Sequence, residues 1–453
     1  MNGLRISVVG LGKLGACMAA ATAERGHQVI GIDLHAPFVD AINRGEAPVQ
    51  EPGLAEMIAN NRERLRATTD YEVAVAASDL TFVVVPTPSD DRGAFSLEYA
   101  TQAFAALGRA LRNKLTYHLV VLTSTVLPGS TRYRLITELE AASGKQCGPD
   151  FGVCYSPEFI ALGSVIRDYL NPDFTLIGEF DEQSGALLEA AYARIVMNSA
   201  PSRRMSIENA ELTKIALNSY VTTKITFANM LADLCERIPG GDVDVVSDAL
   251  GMDKRIGRRY LTGGVAYGGP CFPRDNIALA FLANSLGIEP LLPQATDTLN
   301  QRAADKVVER LVPLAREGST IGVLGLAYKP FTNVVEESAG VHIARELAKA
   351  GARVIGYDAL AAENASRVLG ESVQTTADLV GCIEHCDVLV ITTPDPPFRT
   401  LNLDARLERP VRVVDCWRIL DPELRTATHV QYEAIGRSLD DVADMQRLKD
   451  IWN

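Results

Sequence analysis

At 453 residues the chain is long enough for two or three domains, and 47% hydrophobic with 22% charged residues describes a folded globular protein rather than a disordered one. The net charge of −13, from 44 Lys and Arg against 57 Asp and Glu, argues against a nucleic-acid partner, which needs basic surface to displace counterions. No apolar run approaches the roughly 18 residues that span a bilayer, and the opening MNGLRISVVGLGKLG has no cleavable-signal pattern, so no membrane partner is expected. Cysteines at 17, 147, 154, 235, 271, 382, 386 and 416 are too scattered for a disulfide framework and point to a reduced, cytoplasmic setting. The histidines form no HExxH pair, and no metal is expected.

In chain order, β-rich runs at Ile6–Val9, Gln28–Ile32, Leu80–Val85, Leu119–Thr123 and Phe151–Cys154 alternate with helix-length segments. That alternation predicts βαβ units and a parallel sheet. From Met205 to Ile238 no Gly or Pro occurs, which predicts one helix of roughly 50 Å at 1.5 Å per residue. Turn-rich stretches at Pro239–Asp242 and Leu261–Pro273 follow, then helical sequence to about Arg316. A strand-like run restarts at Ile321.

The restart repeats the beginning. Ile6–Gly15 aligns without gaps to Ile321–Pro330, Gly26–Asp33 to Gly351–Asp358, and Asp79–Pro86 to Asp387–Pro394. Three matches in the same order predict two related doubly wound α/β domains flanking a helical middle. The expected boundaries are 1–200, 201–305 and 306–453.

The two copies differ in chemistry. Gly10, Gly12 and Gly15 form GxGxxG between a strand and a helical run, with Leu14 inside the motif. The first glycine permits the tight turn, the second lets a pyrophosphate approach the backbone, and the third lets helix and strand pack closely. Asp33 ends the second strand, where a carboxylate accepts ribose hydroxyls and repels a 2′-phosphate, so the expected cofactor is NAD. The second copy keeps Gly325 but has Ala327 and Pro330 in place of the next two glycines, so it is not expected to bind a dinucleotide in the same way. Its Lys329 offers a point charge for a phosphate or sugar oxygen; the alternative is a structural duplicate with a solvated lysine.

On the long helix, Lys214 and Asn218 share a face, with Glu211 just before them. Such a lysine among Ile215, Ala216 and Leu217 either serves proton transfer or oxyanion stabilisation, or simply snorkels to the surface. Residues 263–275 read Gly-Gly-Val-Ala-Tyr-Gly-Gly-Pro-Cys-Phe-Pro-Arg-Asp, a backbone shaped to approach a ligand and present the Cys271 thiol. Asp275 follows within one turn and can position a water or accept a proton. Cys382-Ile-Glu-His-Cys386 has metal-like spacing, but its place before a repeated strand favours core packing.

Together these blocks resemble the UDP-glucose/GDP-mannose dehydrogenase family over nearly the whole chain. The matching segments are Val9–Gly15, Glu51-Pro-Gly-Leu54, Val85-Pro-Thr-Pro88, Ser124-Thr-Val126, Ser156-Pro-Glu-Phe159, Asn209–Asn218, Gly268–Asp275 and Gly325–Pro330. The resemblance implies oxidation of the C6 alcohol of a nucleotide sugar to a carboxylate in two NAD-dependent steps, with UDP-glucose as the default substrate. It also implies an N-terminal NAD domain, a helical core that forms a homodimer, and a C-terminal domain for the sugar's nucleotide. By the same resemblance Cys271 would carry a thiohemiacetal and then a thioester, and Lys214 and Asn218 would stabilise oxyanions. Asp275, Thr125 and Glu158 would handle water and protons. Thr87 and Thr125 would join Gly10, Gly12, Leu14, Gly15 and Asp33 on the cofactor. Phe159, Tyr267, Gly268 and Lys329 would join Lys214 and Asn218 on the substrate.

Two segments depart from the family pattern. Pro157-Glu-Phe-Ile-Ala-Leu162 lacks a second acid where many members read Pro-Glu-Phe-Leu-Arg-Glu, and Glu336 stands where an arginine is common. The alternatives are a dehydrogenase for a UDP-N-acetylhexosamine or GDP-mannose, a β-hydroxyacid dehydrogenase, or a nucleotide-sugar sensor without turnover. The C-terminal duplicate argues against the β-hydroxyacid enzyme, which needs neither it nor Cys271.

Overall fold

The computed structural model describes residues 3–316, 318–403 and 409–452. They form two compact units, Met1–Ala216 and Leu217–Asn453. The sheet of the first unit contains β1 (Arg5–Val9), β2 (Gln28–Ile32), β3 (Leu65–Thr68), β4 (Leu80–Val83), β5 (Leu119–Leu122), β6 (Gly152–Tyr155), β7 (Thr175–Glu179) and β8 (Ser202–Ser206). Their order is β3-β2-β1-β4-β5-β6-β7-β8. All neighbours are parallel except β6 and β7. The order in which strands are added along the sheet reverses between β1 and β4, so a crevice opens beyond their carboxyl ends, the usual ligand position in such sheets.

The second unit holds β9 (Thr320–Leu324), β10 (Arg353–Tyr357), β11 (Gln374–Thr376), β12 (Val388–Ile391), β13 (Val411–Asp415) and β14 (Val430–Ala434), ordered β11-β10-β9-β12-β13-β14. Here all strands are parallel. The three sequence matches fall on β1 and β9, β2 and β10, and β4 and β12, each pair in the same place in its sheet. Between the sheets the chain is helical, with helices at Ile207–Arg237, Val243–Met252, Phe272–Ser285 and Leu291–Arg316. Apolar clusters cover both faces of each sheet, as parallel sheets require.

Several boundaries differ from the sequence reading. The long helix starts at Ile207, because Met205 belongs to β8, whose Ser-Arg-Arg-Met-Ser pairs with β7. The turn-rich stretch ends at Cys271, with Pro273 inside the first turn of the next helix, where a missing N–H costs nothing. The gap-free alignment also breaks after Gly325. A Cβ on Gly15 would lie 1.8 Å from the Gly10 carbonyl oxygen, whereas in the second copy the glycine packed this way is Gly340, at 2.0 Å from the Gly325 oxygen. Pro330 is therefore not the counterpart of Gly15: the residues between Gly325 and the helix Ala339–Lys349 form an added loop.

Arg418 ties the second unit together. Its buried guanidinium donates to both carboxylate oxygens of Asp244 at 2.8 and 2.9 Å, and to the carbonyls of Thr262, Gly263 and Ile435 at 2.8, 2.9 and 2.8 Å. The base of the cysteine loop, Thr262–Gly263, thus hangs on one side chain. Replacing Arg418 with Met should cost about 3–5 kcal/mol, because it strands buried acceptors. Urea unfolding followed by the fluorescence of neighbouring Trp417 measures this; a loss below about 1 kcal/mol would show that water replaces these bonds.

Candidate active site

In the first unit the three motif glycines are required for three different reasons. Gly10 sits at φ 91°, and a Cβ there would be 2.3 Å from the Val84 carbonyl oxygen. Gly15 lets the helix Lys13–Glu24 pack on the strand end. A Cβ on Gly12 would meet nothing within 4 Å, so this position faces open space at a helix N-terminus. That is the arrangement a pyrophosphate needs. Leu14, in the first helical turn, is half-buried against the core.

Asp33 accepts the Leu11 N–H at 2.7 Å through one oxygen and the His35 N–H at 2.8 Å through the other. It borders a hollow of about 600 Å³ lined by Gly10, Asp33, His35, Tyr71, Tyr99 and Arg109. Its carboxylate would accept ribose hydroxyls and disfavour a further phosphate there, so these residues fit NAD. The loops after β4 and β5 are tied together beside this hollow. The Ser124 hydroxyl accepts the Val85 N–H at 3.0 Å and donates to the Val85 carbonyl at 2.6 Å, and the Thr87 hydroxyl donates to the Thr125 carbonyl at 2.7 Å.

A second group in the same unit joins Glu158, Phe159 and Lys214. The Lys214 ammonium donates to the Glu158 carbonyl at 2.8 Å and lies 4.7 Å from the centre of the Phe159 ring. Lys214 is buried, so it is not a snorkelling surface residue. Burial pushes the Glu158 carboxyl up to about 7, opposed by a hydrogen bond from Tyr192 and by the Lys214 charge. The Tyr192 hydroxyl reaches Glu158 at 3.3 Å and the Ser156 hydroxyl at 2.8 Å.

The second unit carries the thiol. Seven of the eight cysteines are buried and Cys271 alone is exposed, immediately before the helix Phe272–Ser285. Asp275, one turn in, is buried, and Asn218 Nδ2 donates to it at 2.6 Å. The neighbouring Ser219 hydroxyl donates to Asn276 Oδ1 at 2.6 Å, so consecutive residues of the two helices are stitched in register. Asn276 and the Tyr267 hydroxyl both donate to Asp297, at 2.9 and 2.8 Å. Asn300 brackets the Tyr267 backbone through its N–H and carbonyl, at 2.8 and 3.0 Å.

A Cβ on Gly268 would lie 1.9 Å from the Glu337 carbonyl oxygen, and one on Gly269 would lie 2.5 Å from the Tyr328 ring. The cysteine loop therefore packs directly on the segment that carries Lys329, whose ammonium is 5.8 Å from the Tyr328 ring centre. The dinucleotide features have closed in this copy. The Leu326 and Ala327 amides donate to Asp358 at 2.9 and 2.8 Å, and Ala327 is buried.

The two departures have definite places. Leu162 packs, half-buried, against one of the apolar clusters of the first unit, leaving Glu158 as the acid of its segment. The Glu336 carbonyl accepts the Gly269 N–H at 3.0 Å, and the residue lines a cleft of about 470 Å³ with Tyr267, Glu337, His342 and Arg345. Cys382 and Cys386 are both core residues, and no group that could hold a metal ion occurs among the described residues. No helix among them is long and apolar enough to cross a membrane.

Sequence reasoning missed Tyr192, Asp297 and Asn300, which lie distant in sequence with no local motif. Asn276 was within reach: Asn218 and Ser219 face Asp275 and Asn276 as adjacent pairs.

A dinucleotide crevice at the switch point of a parallel sheet marks the first unit as that of an NAD-dependent oxidoreductase. Models of the UDP-glucose/GDP-mannose dehydrogenase family match in succession: its NAD binding domain over residues 4–196, its central domain over 208–302 and its UDP binding domain over 322–422. A UDP-glucose 6-dehydrogenase of Haloferax volcanii is 36% identical over 92% of this chain and 97% of its own. A GDP-mannose 6-dehydrogenase of Pseudomonas putida is also 36% identical, over 89% and 94%. The solved UDP-glucose dehydrogenase of Pyrobaculum islandicum superposes with a TM-score of 0.86 at 36% identity, covering 96% of this chain and 98% of that one. The chain belongs to this family and is an NAD-dependent nucleotide-sugar 6-dehydrogenase.

The raised acid has a measurable consequence. A carboxyl with a folded value near 7 and an unfolded value near 4.5 contributes stability fully present below 4.5 and lost as pH rises through 7. Glu158→Gln should therefore lessen the fall in stability of the first unit between about pH 5 and pH 8. Urea midpoints at both pH values test it, and an unchanged fall would place the Glu158 titration elsewhere.

Proposed function

We propose that the chain oxidises the C6 alcohol of UDP-glucose to the carboxylate through a thiohemiacetal and a thioester on Cys271. The observation that carries this reading is the exposure of Cys271 alone among the cysteines, at the N-terminus of a 14-residue helix with buried Asp275 one turn on. Bound NAD would supply the hydride acceptor for both oxidations. The first leaves an aldehyde, to which the Cys271 thiolate adds. Loss of the second hydride converts that adduct into a thioester, and water releases the carboxylate and the thiolate.

Lys214 and Asn218 are assigned to the oxyanions, whose charge an ammonium and an amide N–H stabilise. Glu158, Thr125 and Asp275 are assigned to water and protons; a carboxyl near 7 is poised to act as a base at neutral pH. Gly10, Gly12, Gly15, Asp33, Thr87 and Thr125 would hold the cofactor, Leu14 supporting the turn from within. Phe159, Tyr267, Gly268 and Lys329 would hold the nucleotide sugar. The UDP binding family match and the Haloferax relative support UDP-glucose. GDP-mannose is the second reading, favoured by relatives of equal identity.

The same reading covers assembly and location. Tyr220, Phe227, Met230 and Leu234 are exposed on the helix Ile207–Arg237 at spacings of seven, three and four residues, which makes one apolar stripe. We assign it to a homodimer. Eight thiols without a disulfide fit the cytoplasm.

The direct test supplies excess NAD and limiting nucleotide sugar and counts NADH formed. Two NADH per UDP-glucose are expected from the native chain, and no more than one from Cys271→Ala. One NADH from the native chain would sink the thioester, two with GDP-mannose alone would move the substrate, and none across the panel would favour a sensor. Glu158→Gln should slow turnover about 10²–10⁴-fold. Sedimentation should show a dimer that Phe227→Asp with Leu234→Asp converts to monomer; a native monomer would remove the assigned interface.

A further inference from the structure

Glu211 is completely buried, and the chemistry assigned above does not use it. One carboxylate oxygen accepts the Gly129 N–H at 2.6 Å and the other accepts the Thr131 N–H at 2.9 Å. These donors lie where the chain turns into the helical run Thr131–Ser143, whose first amides have no partner within the run. Glu211 thus caps that run from a different element, and its charge meets the positive end of the peptide dipoles.

The capped loop begins at Ser124-Thr-Val126. Its front is fixed by the Ser124 bonds to Val85 and the Thr87 bond to the Thr125 carbonyl, its rear by Glu211. Thr125 lies between the two anchors. Lys214 follows Glu211 by one turn, so a single stretch of helix both clamps the loop and aims the lysine at the Glu158 carbonyl.

We infer that Glu211 is a positioning residue whose carboxylate clamps the loop after β5 and so sets Thr125 for the cofactor. This rests on the reading of Thr125 as a cofactor residue. The clamp needs two acceptor oxygens. A glutamine offers one and turns an N–H₂ toward the other donor.

Burial pushes Glu211 up to about 7 despite the bonds from Thr131 and Gly129, and Glu208 on the same helix adds repulsion. Glu208 is itself paired with Arg132, the residue after the clamped amide, and that guanidinium lies 5.3 Å from the centre of the Phe180 ring. Because the folded value lies above the unfolded one near 4.5, the stability linked to Glu211 is full below about 4.5 and is lost as pH rises through 7.

The test titrates NADH into native and Glu211→Gln protein without nucleotide sugar, near pH 6 and pH 8. At the higher pH the variant should bind NADH about tenfold more weakly, the size of a lost hydrogen bond to a charged group. The KM for nucleotide sugar should change less than about twofold, a split that general loosening of the fold would not give. Native affinity should fall from the lower to the higher pH by more than the variant's does, Glu158 keeping its own contribution in both. Equal NADH affinity in the two proteins would overturn the inference.

If the variant does not fold, hydrogen exchange of the native protein decides. Corrected for intrinsic rates, protection of residues 126–135 relative to β5 should fall as pH rises through 7, and an unchanged ratio would overturn the inference. Native protein that binds no NADH would instead refute the cofactor reading of Thr125, while hydrogen exchange would still judge the clamp.

Discussion

The geometry of both units depends on carboxylates that accept backbone N–H groups from loops at the carboxyl ends of strands. Asp33 holds Leu11, and Glu51 holds Gly163 and Val165 at 3.1 and 2.9 Å. Glu211 holds Gly129 and Thr131, Asp358 holds Leu326 and Ala327, and Asp415 holds Trp417 and Leu420 at 3.0 and 2.9 Å. The constraint is physical. A loop that leaves a buried parallel strand exposes donors with no ladder partner, and each one left unmet costs about 1–3 kcal/mol. A carboxylate meets two at once and fixes the loop in one conformation. Glu51 thereby sets the segment that carries Glu158 and Phe159, just as Glu211 sets the one after Thr125.

The same device explains how one duplicated fold came to serve two purposes. In the first copy Asp33 takes the Leu11 amide, and Gly12 beyond it opens on empty space. In the second, Asp358 takes the Leu326 amide and also that of Ala327, while the alanine methyl occupies the room. Backbone donors that would face a pyrophosphate are consumed internally. The added loop before Gly340 then brings Tyr328 and Glu337 against Gly269 and Gly268. The second copy has thus lost an anion cradle and become a wall for the cysteine loop.

Much of this was legible in the residues. The strand-and-helix alternation, the duplication and the glycine motif each follow from a local rule that the structure obeys. β3 and β8 escaped notice because Leu65-Arg-Ala-Thr and Ser202-Arg-Arg-Met-Ser are outer strands that leave alternate side chains in water, so they lack the apolar run of β4 and β5. Gly340 escaped because its role is fixed by contact with Gly325 and not by spacing. Within the site, Cys271, Asp275 and Asn218 could be named from pattern, yet the Asp275–Asn218 bond joins residues 57 positions apart. Tyr192 and Asp297 had no signal at all, since a tyrosine or aspartate on a helix reads as a surface residue until the fold buries it.

Exposure and burial are divided between thiol and acids in the way the proposed reaction requires. A nucleophile that must reach a sugar carbon cannot be buried, and the seven cysteines in the core are disqualified for that reason alone. Acids that handle protons at neutral pH need the opposite treatment, because a solvated carboxyl near 4.5 is too weak a base. Glu158 and Glu211 are both driven to about 7 by burial, but they differ in what opposes it. Glu211 faces two backbone donors that cannot leave without unravelling a helix start, so its charge is committed to structure. Glu158 faces the Tyr192 hydroxyl and the charge of Lys214, which are side-chain groups and not the amides of a helix start. Its charge therefore caps no helix and holds no loop, in keeping with the proton-handling role proposed for it.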